Sequence, residues 1–178
     1  MLKMSFKWGL YAGGVMVTAC LSANLLFLEE TAESYELAET LGYVSIFASL
    51  GLIYLALHDA QTKFETAELT LWQRIFLGVM ISAVAGVMFG IYNVVYTTYI
   101  DPEFMENYLT HFISQMPVQS GPEYEANVAE LKQDMVMFSH PASQFAAMAA
   151  TVLAAGIPVS VLLAFVQKWQ GGRNLKQV

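Results

Sequence analysis

Four stretches of this chain, 8–28, 41–57, 72–100 and 142–166, contain no Asp, Glu, Lys, Arg or His except Arg74. Uncharged apolar runs of about twenty residues match the thickness of a bilayer's hydrocarbon core when coiled as helix. The apolar residues are clumped rather than periodic, which marks transmembrane helices. The expected fold is all-α: a polytopic membrane protein with a four-transmembrane-helix bundle, forming a single membrane domain over residues 1–178. Composition agrees, at 56% hydrophobic and 13% charged, where a soluble domain is nearer a quarter charged.

Charge placement sets the expected threading. Lys3, Lys7, Lys63, Arg74, Lys168, Arg173 and Lys176 fall on one side of the four runs, and only Lys132 falls on the other. Short loops obey the positive-inside rule, so both termini are expected to be cytoplasmic. Trp8, Trp72 and Trp169 sit at the same ends of their runs, where an aromatic belt belongs. The opposite side is acidic. It carries Glu29, Glu30, Glu33, Glu36 and Glu39 before the second run, and Asp101, Glu103, Glu106, Glu123, Glu125, Glu130 and Asp134 before the fourth. These acidic loops are expected to be periplasmic, as a solvated face or a surface for a basic partner or divalent cations. Val17-Thr18-Ala19-Cys20 resembles a lipoprotein cleavage box, but the apolar run continues past it to Leu28, so the first run is read as a permanent helix.

Residues 101–140 are too long for a plain connection. Asp101-Pro102-Glu103 reads as a helix start. Phe104, Met105, Tyr108, Leu109, Phe112, Ile113 and Met116 then form one apolar face, ended by Pro117 and Gly121-Pro122. A second helix follows with Tyr124, Val128, Leu131 and Met135 on one side. The expectation is an extracytoplasmic helical hairpin between the third and fourth spans, resting on the bundle or on lipid.

Small residues recur every four positions: Gly78, Ser82, Gly86 and Gly90 in the third run, and Ala142, Ala146, Ala150 and Ala154 in the fourth. Gly9 and Gly13, and Ser45 and Ser49, do the same in the first two. Such rows let helix backbones approach closely in lipid, within the bundle or in a homo-oligomer. Gly156 and Pro158 predict a bend in the fourth run, Thr70 an N-cap for the third, and Gly171-Gly172 a break before the basic tail.

Little chemistry is visible. No P-loop, HExxH or paired-cysteine motif is present, and Cys20 is the single cysteine. His111 and His140 lie among carboxylates, where an imidazole–carboxylate metal site would need further ligands at close spacing; neither a metal nor a cofactor is expected. No Asp, Glu, Lys, Arg or His lies at mid-membrane depth, against a coupled pump. Thr18, Asn24, Asn93, Gln144 and Thr151 are left for interhelical hydrogen bonds. At about 100° per residue, Asn93, Thr97 and Asp101 fall within about 60° of Gly90, a polar stripe continuing the glycine face under the hairpin. Tyr92, Tyr96 and Tyr99 fall opposite, as a belt at the headgroup level.

Leu69-Thr70-Leu71-Trp72-Gln73, leading into Gly78 and Ile81-Ser82, then Ile100-Asp101-Pro102-Glu103-Phe104, an acidic insertion and a short basic tail, are together familiar. This order resembles the bacterial inner-membrane family catalogued as domain of unknown function 4199 (DUF4199), over essentially the whole chain. The resemblance implies a four-span protein of the bacterial inner membrane and carries over no catalytic or ligand-binding residues. The expected role is non-enzymatic: an accessory or scaffold subunit that binds membrane lipid, another membrane protein or its own copies, and no nucleic acid. Transport or flipping of an uncharged or lipid-linked solute is the alternative, and a lipid-headgroup enzyme using His111 and His140 a third. Asn93, Thr97, Asp101, His111 and His140 are the candidate contacts for a ligand or partner.

Overall fold

Apolar runs of this length coil readily, and the size of their side chains then decides which faces meet. The computed structural model describes residues 1–26, 32–63, 69–117 and 119–174. Helices α1 (Leu2–Leu26), α2 (Ala32–Leu50), α3 (Leu52–Lys63) and α4 (Leu71–Val95) come first. A π-helical turn (Tyr96–Ile100) extends α4, and α5 (Phe104–Ser114), α6 (Pro122–Phe138) and α7 (Pro141–Asn174) follow. Among the described residues, three segments are long and apolar enough to cross a membrane: Glu39–Lys63, which joins α2 to α3, Leu71–Ile100 and Pro141–Gln170. Helix α1 has 25 residues and is apolar along most of its length. Trp72, Phe76, Val87, Ile91 and Val95 leave an exposed apolar row along α4. Such a row suits contact with lipid chains, and this is a membrane protein.

Helix α4 is the hub. It packs along α7 and along α1; α2 packs on α1, and α3 on α1 and α7. The glycine row of α4 makes the α7 seam, as its spacing predicts. A Cβ added at Gly78 would lie 2.6 Å from Ser160 Oγ, and one at Gly86 3.0 Å from the Ala149 carbonyl oxygen. One at Gly90 would lie 2.7 Å from the Phe145 ring, and Gly156 of α7 sits against Ser82. Gly9 and Gly13 of α1 receive Val84 and Met88 in the same way. The alanine row is a correction. Ala142, Ala146, Ala150 and Ala154 are all exposed. The face of α7 that meets α4 carries Ala149, Val152, Gly156 and Ser160 instead. Alanines occur on several faces of α7, so their period does not pick one, whereas the closest backbone approach requires glycine or serine.

One end of the molecule is fixed by polar contacts between distant helices. Trp8 Nε1 donates to Asp59 Oδ2 at 3.1 Å, joining the start of α1 to the end of α3. Arg74, at the start of α4, donates to Gln61 of α3 and Gln167 of α7. Trp72 and Trp169 flank these groups, so all three tryptophans lie at this end. Thr70 forms the expected cap: its hydroxyl accepts from the Gln73 amide at 3.3 Å, and the Gln73 side chain accepts from the Thr70 amide at 2.9 Å.

Several boundaries differ from expectation. Helix α2 begins at Ala32, ahead of the apolar run, and the second run is interrupted at Gly51, whose amide donates to the carbonyls of Phe47 and Ala48. Helix α7 contains Pro158 and runs through Gly171-Gly172 to Asn174 rather than breaking there; glycine costs a helix only about 1 kcal/mol each, too little to stop one this long. Asp101 does not cap α5, which begins at Phe104 without a side-chain cap. Glu29, Glu30, Glu65, Glu68 and Lys176 lie outside the described residues.

Candidate functional site

Where α4 leaves its seam with α7, the helix widens. The Asp101 amide donates to the Tyr96 carbonyl at 2.9 Å, a π-type bond that inserts one extra residue into the turn. Tyr96, the first residue of that turn, is 7% exposed, while Tyr99 is 79% exposed. The tyrosine belt is therefore corrected: Tyr99 alone faces outward, and Tyr92 and Tyr96 join an internal stack. Phe89, Tyr92, Tyr96, Phe104, Tyr108 and Phe112 follow one another at centroid spacings of 5.7 to 6.0 Å. These are ordinary distances for attractive ring pairs. The stack carries α4 across the Pro102 turn and ties α5 to it. Asn24 of α1 donates to the Tyr92 hydroxyl at 3.1 Å, closing the other side.

Beside this stack lies a chamber of about 450 Å³ bounded by α1, α2, α4, α5, α6 and α7. Its walls are apolar: Ile46, Phe89, Phe104, Met135, Phe138 and Met148. Its polar lining comes from Asn24, Glu39, Tyr43, Asn93, Gln144 and Thr151. Volume and lining are those of a small-molecule site, mostly apolar with a few placed polar groups. Tyr43 of α2 and Phe138 of α6 are exposed and form the rim. The Tyr108 phenol, also in the lining, is held above its usual range, first by burial and then by the nearby Glu39 carboxylate. It stays neutral.

The floor is an amide cluster. Gln144 is 7% exposed, and Thr97 Oγ1 lies 2.8 Å from its Oε1 and 3.0 Å from the Asn93 carbonyl. A hydroxyl has one proton, so Thr97 donates to one neighbour, and Gln144 spends one end of its amide on Thr97. Gln144 and Asn93 both line the chamber, and neither the other end of the Gln144 amide nor the Asn93 side-chain amide has a partner among the described residues. Thr97→Val keeps the volume and removes the partner of Gln144; it should lower thermal stability in mild detergent by about 1–2 kcal/mol, with Thr97→Ser near wild type.

Of the candidates read from sequence, Asn93 lines the chamber and Thr97 supports its floor. Asp101 ends the π turn, 3.5 Å from the Tyr96 hydroxyl. His140 is exposed at the start of α7, its Nδ1 accepting from the Ala142 amide at 3.2 Å. His111 lies on α5 outside the lining. These three do not converge with Asn93 and Thr97, and among the described residues no three His, Cys, Asp or Glu side chains come together. The apolar walls and Gln144 carry most of the site. Gln144 was visible as a polar residue in an apolar run; the walls had no signal separating them from ordinary core.

No curated protein and no solved structure matches the chain. A family model described as a protein of unknown function, DUF4199, matches residues 7–168, which takes in every helix that bounds the chamber. The chain belongs to this family.

Proposed function

We propose that this is a non-enzymatic, four-span integral membrane protein that holds a membrane lipid in the chamber under α5 and α6. In this reading α1 is the fourth span, the tryptophan end is cytoplasmic, and α5–α6 form a hairpin on the periplasmic side of the bacterial inner membrane. The observation that carries it is the chamber: an apolar, open-mouthed space lined by six helices, with hydrogen-bonding groups left over at its floor. Membrane lipid is the apolar molecule at highest concentration beside it. The small-residue rows of α1 and α4 are occupied inside the molecule, which leaves them unavailable for a protein partner or a second copy.

Gly42 offers a clean test. It lines the chamber, and a Cβ added there meets nothing within 4 Å. Gly42→Phe should fill the space without disturbing the seams. Native mass spectrometry of the gently solubilised chain should show one retained lipid per chain, lost in Gly42→Phe at unchanged thermal stability. A bare chain, or one held mainly to another protein, contradicts the proposal.

A further inference from the structure

Resting on that lipid-holding reading, we infer that the chamber selects an uncharged single-chain amphiphile, whose hydroxyl or carbonyl head sits against Gln144 and Asn93. The polar floor supplies neutral groups only. Gln144 lines the chamber, is more than nine-tenths buried and has one end of its amide unspent, and Asn93, also in the lining, has both a donor and an acceptor unspent among the described residues. An amide offers hydrogen bonds to a hydroxyl, ester or ketone without needing a counter-charge.

Charge excludes the alternatives. Among the described residues no lysine, arginine or histidine lines the chamber, so a phosphate or carboxylate head would be buried without a cation. Burying an unpaired ion costs several kcal/mol, far more than the same head loses by staying in the headgroup layer. The lining carboxylate, Glu39, is exposed and repels anions on approach. Exposure also leaves Glu39 solvated, too far into water to compensate a cation drawn down to the floor. The aromatic and methionine walls suit a flexible hydrocarbon chain, since thioether side chains repack around irregular shapes.

The full-length protein, exchanged into a mild detergent, is offered monoolein, oleate or oleylamine, which share a chain and differ in the head. Retention is read by native mass spectrometry. Monoolein should be retained at least about tenfold better than either charged analogue. Asn93→Leu, at a half-buried side chain that makes no hydrogen bond among the described residues, should keep the fold and lower monoolein retention several-fold. Equal or better retention of oleate or oleylamine overturns the choice of ligand while leaving a lipid site in place. Undiminished monoolein retention in Asn93→Leu overturns the placement of the head. If the wild-type chain retains none of the three, the lipid-holding reading itself fails.

Discussion

Leucine at Gly86 should separate α7 from α4 and cost about 3 kcal/mol, the upper part of the range for overpacked positions. A side chain there meets backbone: its Cβ would lie 3.0 Å from the Ala149 carbonyl oxygen and 3.5 Å from the Ala149 Cα. Backbone cannot rotate aside, so the helices must move apart and lose the dispersion contacts that hold helices together in lipid. The same substitution at Gly13 meets the Met88 side chain, which can change rotamer, and should cost less. Gly14→Ala, where nothing lies within 4 Å of the new methyl, should be neutral or slightly stabilising. Midpoints of thermal unfolding in a mild detergent give the ranking, and equal losses at Gly86 and Gly14 would remove α4 from its place as hub.

Arg74→Met should cost as much or more, about 3 kcal/mol, for a different reason. Arg74 is 6% exposed. Its Nε donates to the Leu69 carbonyl at 3.1 Å, Nη1 to Gln167 at 2.9 Å and Nη2 to Gln61 at 2.7 Å. Gln167 in turn donates to the Tyr54 carbonyl at 3.1 Å. One guanidinium thus fastens α3, α4 and α7, and its removal leaves two glutamine oxygens short of a donor. Arg74→Lys should not restore stability, because a single ammonium cannot span three directions held by a planar fork. Lys63→Met is the contrast: the Lys63–Asp59 pair is 3.0 Å long but solvated, and its loss should change stability by no more than about 0.5 kcal/mol.

These two positions show what sequence could and could not carry. The Gly78-Ser82-Gly86-Gly90 row was legible because close packing in lipid demands small residues at a fixed spacing, and the Thr70 cap because its logic is local. The half-buried face of α6, Tyr124, Val128, Leu131 and Met135, was legible as a plain period. Arg74 read only as a positive charge at the mouth of an apolar run, since Gln61 and Gln167 reach it from other helices. The tyrosines failed for a physical reason: α4 is covered by α1 as well as α7, so the face opposite its glycines is not simply lipid. At the site, Asn93 and Thr97 followed from phase. Gln144 was noted only as a bonding group, because an apolar wall around a hollow has the same composition as an apolar wall around a core.

The central claim is that the chamber takes a lipid from the membrane. Met148 lines it from α7 and is half-buried. With p-benzoylphenylalanine in place of Met148, illumination in native membranes should add a lipid-sized mass to the chain, and the Gly42→Phe substitution should abolish that adduct. Crosslinks confined to the chain itself, or a lipid adduct that persists when Gly42→Phe fills the space, would contradict it.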